Sequence, residues 1–388
     1  MGRQESTGTV DDGQSVSRLP AIEQRGVFVN HVTVTAAGPG DWPAKSSARE
    51  LIWFLPALGA LLYPLFLRSA YGSGRLITGS SGKANSIGVI LAYVLSLGAA
   101  YSVPLSAALL ARHLSRAAPL TAAARRAVRV CHLAFAAPPL YTALGVVTFI
   151  LGFGDLDLTV WMALWMIVIA VAVAKRFAAS EPQSAKPAYG LRRFHGVAAL
   201  AILMSFLLAH LGNHVLALWS PELHGHVMRA LETIYRHRLI EPALVLLMAS
   251  LMGSGLVLMW KHTAVPQDGF GTLQTLTGFY LAAFIASHLV AVFVMARWIE
   301  NIPTDWNFAS GAPVGLLKDP WNVRLIPHYS VAVWAVIAHV GLGARGVMRA
   351  HGAADRIADR FAWATIGVGA IVSALISAAL LGVHLRPS

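Results

Sequence analysis

Hydrophobic residues gather along this chain into nine long apolar runs, near 51–70, 86–111, 130–153, 159–174, 196–218, 241–260, 274–296, 328–348 and 361–384. A helix rising 1.5 Å per residue needs about 20 residues to cross the roughly 30 Å hydrocarbon layer. The runs meet that length, the fourth (Leu158 to Ala174) being the shortest. Between them stand breakers and caps: Gly72 to Gly82, Pro182 to Pro187, Pro221, and Pro303 to Pro327. The pattern predicts an all-α polytopic transmembrane helix bundle of about nine spans. Residues 1–48 are polar and rich in Gly, Ser, Thr and acids, with no apolar stretch able to act as a signal peptide. They are expected to form a disordered tail. A polar linker over 179–191 divides a four-helix membrane block at 49–178 from a five-helix domain at 192–388.

Composition agrees. Of 388 residues, 56% are hydrophobic and 12% charged, with a mean hydropathy of +0.61. Soluble domains carry about 25% charged residues, so much of this chain meets something other than water. Thirty Lys and Arg against eighteen Asp and Glu give a formal charge of +12, which in another setting would suggest nucleic acid. Here the bases fall at the ends of apolar runs, where they set orientation and attract anionic headgroups. The partner they imply is the lipid bilayer and not nucleic acid. With nine spans and the N-terminus inside, twenty of the thirty bases share the inner side. They are five from Arg3 to Arg49, five from Arg112 to Arg129, five from Lys175 to Arg193, Lys261, and four from Arg345 to Arg360. The connector after the third run holds Asp155 and Asp157 and no base. The expected topology is a cytoplasmic N-terminus and an outside C-terminus. A single cysteine, Cys131, excludes an intrachain disulfide framework and a Cys-ligated cluster.

Ionisable side chains within spans are costly and call for an explanation. His210 and His214 share one face of the fifth run, His288 lies in the seventh, His339 in the eighth, and His132 near the inner end of the third. Other histidines, among them His224, His262 and His328, fall in loops or at span ends, where interfacial or solvated roles are expected. Counted from the inner edges at His195 and Gln274, His210 sits about 22 Å and His288 about 21 Å into the membrane. Two imidazoles at one depth on two parallel spans are what an axially bis-ligated haem iron requires. Small neighbours, Ala209 and Gly212 on one helix and Ala286 and Ser287 on the other, leave room for a flat macrocycle. The alternative is that such histidines only hydrogen-bond to neighbouring helices.

Several stretches carry a resemblance over about 190–350. Arg192-Arg193-Phe194-His195 opens a helix, and Phe-Leu-Leu-Ala-His-Leu-Gly-Asn-His follows at 206–214. Leu273-Gln274-Thr275-Leu276-Thr277-Gly278 precedes His288, and Trp306-Asn307-Phe308 precedes His339 and Gly343. Together they resemble the cytochrome b membrane anchor of succinate dehydrogenase and fumarate reductase, in its single-chain, dihaem, five-helix form. The resemblance implies that His210 and His288 hold the iron of a haem b nearer the outer surface. It implies that His339 is the remnant of a second, cytoplasm-side haem site. That haem's other ligand would stand at Leu251, four residues before Gly255, and leucine cannot ligate iron. The basic residue the family often places after Gln274 is Thr275. One haem is therefore expected, and a second is not. Met248 and Met252 flank Leu251 but point away from its direction around the helix.

The resemblance further implies an electron-transfer or anchor subunit of an oxidoreductase complex in a bacterial cytoplasmic (inner) membrane. It would carry electrons between membrane quinone and a partner redox protein, such as flavoprotein and iron–sulfur subunits, or across the bilayer. Arg192, Arg193 and His195 are candidate contacts for haem propionate or quinone, or simple anchors at the inner headgroups. The competing expectation is a redox-inactive anchor that keeps the fold and docks partner subunits. Transport is disfavoured, because clear inverted repeats, broken-helix pairs and buried acids are wanting.

Overall fold

The computed structural model describes residues 52–78, 87–118, 120–174 and 188–386. The tail over 1–48 and most of the linker over 179–191 lie outside them. Among the described residues every regular element is helical. Among the described residues eight helices are long and apolar enough to cross a bilayer, or nine if one bent pair is taken as a single span. This is an integral membrane protein of the all-α class.

In the first half, α1 (Leu55–Thr78) and α2 (Ile87–Leu114) pair along their length. The bent pair comes next as α3 (Ala122–Phe135) and α4 (Ala137–Ile150), and α5 spans Asp157–Ala174. The third apolar run predicts one helix over 130–153. The chain instead turns by 61° between α3 and α4. Pro138 and Pro139 occupy the first turn of α4; they lack the N–H that would continue the ladder, and a proline ring clashes with the carbonyl four residues back. Thr121 caps the start of α3, its hydroxyl accepting from the Ala124 amide at 3.1 Å.

The second half opens with one long span in three parts: α6 (Tyr189–Ile202), a π-helical turn at Leu203–Leu207, and α7 (Leu208–Leu216). Next comes α8 (Pro221–Tyr235), started by Ser220 as cap and Pro221 in the first turn. It is amphipathic, and it forms where the sequence suggests only a connector. The remaining spans are α9 (Ile240–His262), α10 (Gly269–Leu289) continued by a π-helical stretch over Val290–Ile299, α12 (Leu325–Ala350) and α13 (Asp355–Leu380). The short α11 (Trp306–Ser310) lies in the connector before α12.

Neighbour relations close these five spans into a ring: α6 on α9, α9 on α10, α10 on α12, α12 on α13, and α13 back on α7. Of these spans α9 is the least covered by protein, with 6% of its apolar window buried, against 39% for the first span of the chain. Outside it, α4 packs against α10 and α12 and joins the first four spans to the ring. Two sets of bonds mark the ends of the bundle. Gln267 donates from its amide to Ser115 O at 2.8 Å, tying the α9–α10 connector to the end of α2. Leu385 donates to Leu218 O at 2.8 Å, tying the residues after α13 to the end of α7. The first set lies at the end carrying Arg192, the second at the end carrying Trp306.

Candidate functional site

The interior of the ring holds two facing pairs of imidazoles. At the Trp306 end, His210 on α7 faces His288 on α10 with ring centres 6.4 Å apart. Each ring stacks on the phenylalanine one turn before it: Phe206 on His210 at 4.8 Å, and Phe284 on His288 at 5.6 Å. Among the described residues neither imidazole forms a hydrogen bond. Both stand beside π-helical segments, Leu203–Leu207 and Val290–Ile299, a departure from α geometry common at functional positions.

At the Arg192 end, His195 on α6 faces His339 on α12 at 6.3 Å. Here hydrogen bonds fix the rings. His339 Nδ1 donates to Gln274 O at 3.1 Å, with Thr277 Oγ1 at 3.2 Å. The Ser254 hydroxyl donates to Leu251 O at 3.2 Å, so it accepts from His195 Nδ1 at 2.9 Å. Each ring thus carries its proton on Nδ1 and keeps the Nε2 lone pair without a partner. Two glycines make room for the rings. A Cβ at Gly278 would stand 2.9 Å from His339 Cε1, and one at Gly255 would stand 3.2 Å from His195 Cε1.

These distances test the fit of an iron porphyrin. A metal–imidazole bond is about 2 Å, and the ring centre lies about 1 Å behind the nitrogen, so two axial rings on one iron stand about 6 Å apart. Both pairs meet that spacing. Axial histidines ordinarily hold the second nitrogen against a carbonyl or side chain, as His195 and His339 do. Among the described residues no three His, Cys, Asp or Glu side chains converge as a protein-only metal cage would need.

The other candidates sort clearly. His132 is a hydrogen-bonded core histidine: Nδ1 donates to Val128 O at 2.8 Å, and Nε2 lies 3.0 Å from Thr275 Oγ1. That bond gives Thr275 a structural partner in α3. Arg192 Nη2 lies 2.9 Å from His262 Nε2, at the end of α9, while Arg193 is exposed. His195 lies one helical turn further along α6 than Arg192 and faces His339. His214 packs on His210 at 4.7 Å and on His224 at 5.2 Å. His224 and His328, expected at interfacial or solvated positions, are each 2% exposed. Burial lowers the His224 imidazole to about 4, against a smaller upward pull from Asp305. Leu251, expected opposite His339, carries no ligand, yet its carbonyl anchors the Ser254 hydroxyl that orients His195.

A buried ion pair joins the first four spans to the ring. Arg324 Nη2 lies 2.7 Å from Asp157 Oδ2, with side-chain exposures of 7% and 8%. The Tyr141 hydroxyl donates to the same carboxylate oxygen at 3.2 Å, and the guanidinium lies over the rings of Tyr141 and Trp321 at 4.5 and 4.8 Å. The sequence shows Asp157 only as a residue of a base-free connector; its base arrives from 167 residues away.

No known protein family, curated protein or solved structure matches this chain. Its class therefore rests on the fold: a polytopic helical membrane protein with histidines facing one another inside a five-span ring.

Proposed function

We propose that the chain is a membrane-spanning b-type cytochrome that carries electrons along the five-span ring, with haem held by His210 and His288 and by His195 and His339. One observation carries the reading. Two imidazole pairs each stand at the spacing of a single bis-ligated iron, and one histidine of each, His195 and His210, comes from the same span 15 residues apart, about 22 Å along it. Buried histidines that serve only to join helices bond to neighbouring side chains or carbonyls. His132 does so; His210 and His288 do not, and His195 and His339 do so with one nitrogen only. Bound haem supplies one-electron iron chemistry in a dry pocket. The chain's part is orientation and exclusion of water: Ser254 and the Gln274 carbonyl set the rings at one end, Phe206 and Phe284 stack them at the other. Arg192, beside His262 and one turn before His195 on the same helix, offers a cation for a propionate. With the bases concentrated at the Arg192 end, that end faces the cytoplasm. Electrons enter or leave through membrane quinone or a partner redox subunit.

A pyridine haemochrome assay on the purified full chain tests this. Two haems per chain are expected, and His195→Ala or His288→Ala should each remove about half the low-spin absorbance, since each site holds one iron. Gly278→Ala should disturb the His195/His339 site alone. One haem lost only in His210→Ala or His288→Ala would withdraw the second site. A colourless protein that inserts normally would leave the redox-inactive anchor.

A further inference from the structure

Four arginines, Arg112, Arg116, Arg125 and Arg126, gather where α2 ends and α3 begins, at the Arg192 end of the bundle. The connector between α9 and α10 is folded against this region. Gln267 donates from its amide to Ser115 O at 2.8 Å, and a Cβ at Gly269 would stand 3.0 Å from Arg112 Nε and 3.3 Å from Arg116 Nη2. From α3, Arg129 reaches the end of α9: Nε donates to Thr263 Oγ1 at 3.3 Å, and the guanidinium lies 3.5 Å over the Trp260 ring. Arg129 is thus engaged, whereas Arg112, Arg116 and Arg126 form no ion pair or hydrogen bond among the described residues. Arg126 is half-buried, with Nε and Nη2 closed from solvent and without a partner, and neither side-chain amide atom of Gln267 has one. Asp268, the carboxylate of this connector, is occupied by the Gly271 amide at 2.6 Å and by Arg345 at 3.4 Å. Inside the bundle Arg324 is matched by Asp157; guanidinium nitrogens buried with no such partner are strongly unfavourable.

An anion with several acceptor oxygens supplies what the cluster lacks, since guanidiniums hold such groups by charge-assisted hydrogen bonds. Tryptophans give its depth. Trp53 packs on Leu114, Ala127 and Val128 beside the cluster, and Trp260 is 56% exposed; such residues settle at the headgroup layer. Leu109 and Leu105, one and two turns before Arg112, are exposed and give acyl chains an apolar flank. We infer that the cluster is a binding site for a phosphate group, carried by an anionic phospholipid, with Arg126 as the inner donor and Arg112 and Arg116 at the rim. One lipid held in a fixed place differs from the attraction that every base at this end exerts on anionic headgroups. The site belongs to the first four spans and does not depend on haem.

Native mass spectrometry of the purified full chain in neutral detergent, titrated with phosphatidylglycerol or phosphatidylcholine, counts the lipids held. Retention of a single phosphatidylglycerol in preference to phosphatidylcholine is expected, because a zwitterionic headgroup brings an ammonium among the guanidiniums. Arg126→Met should weaken retention about tenfold or more, and Arg116→Gln, at the exposed rim where folding is not at stake, about threefold. Arg356→Gln, which removes a base from α13, should change it by less than about twofold. Equal retention of the two lipids, or unchanged affinity in either cluster variant eluting as native protein, would overturn the site. So would an equal loss in Arg356→Gln, which leaves only attraction spread over all the bases. Inorganic phosphate separates the two sources of the anion. Its competition with the retained lipid is expected; phosphate bound to a chain that retains no phosphatidylglycerol would assign the free ion and overturn the lipid.

Discussion

The ion pair between Asp157 and Arg324 is the sharpest place to test how the two halves are held together. Each side chain is more than nine-tenths buried. Arg349 and Asp355 make an equally short contact of 2.6 Å, but with side-chain exposures of 42% and 70%, and such a surface pair is worth about 0–1 kcal/mol. Removing one partner of a buried pair costs about 3–5 kcal/mol, because the other charge stays desolvated. Asp157→Ala would leave the guanidinium with the Trp321 carbonyl at 3.1 Å and two aromatic faces, its Nη1 already without a partner. Arg324→Met would leave the carboxylate with the Tyr141 hydroxyl alone. The guanidinium has little room to move aside: a Cβ at Gly145 would collide with it, so the helix surface is already in contact with it.

Each single variant is therefore expected to lose about 3–5 kcal/mol in an SDS-unfolding titration from mixed micelles. The double variant removes both charges and should lose less than either single one, since an apolar replacement of a whole pair is often close to neutral. That is a coupling of about 2 kcal/mol or more in a double-mutant cycle. Single losses under about 1 kcal/mol, or additivity within about 0.5 kcal/mol, would refute the assignment of this pair as the tie between the halves.

Two further outcomes are expected. Reporter fusions at Gly352 and after Val383 should report opposite sides of the membrane, with Gly352 cytoplasmic, since α13 lies between them; signals from one side would break the nine-span threading. The pH response of α8 should run through His224, which faces His214, Trp306 and Asp305. Its folded imidazole is lowered to about 4, so between that value and the ordinary 6.5 the unfolded chain binds the extra proton and stability falls as pH drops. At pH 5 this loss is on the order of 1–2 kcal/mol. His224→Gln should show a smaller drop in Tm between pH 7.5 and 5 than the native chain; an equal drop would assign the response elsewhere.

Features governed by local pattern are the ones legible in the sequence. Apolar length marks the spans, and the order of bases sets their expected threading. Equal counting from two helix ends brings His210 and His288 together, because a straight helix converts residue number into depth. The same counting does not bring His195 and His339 together. It takes His195 as the inner edge of its span, although the helix begins at Tyr189 and His195 faces His339 across the ring. A search of α9 for a partner to His339 then leads to Leu251. The bend between α3 and α4 is signalled by Pro138 and Pro139 standing inside an apolar run, and the stacked rings by a phenylalanine four residues before a histidine in two spans.

The joining of the halves is not legible, and the reason is physical. The face α4 turns inward includes Ala137, Tyr141, Thr142, Gly145, Val146 and Thr148, all buried. In a bilayer, helices gain nothing from hiding apolar side chains from water, so a packing face differs from a lipid face only in side-chain size. An amphipathic stripe, which would name the inward face in a soluble protein, has no cause to form. The one charged signal, Asp157, pairs with a residue 167 positions away, and its own surroundings say only that no base is near. Helix pairing in this chain is thus written in small residues and isolated buried polar groups. The same scarcity of polar groups inside the bundle gives the facing histidines their weight, because each must be matched by something within the protein.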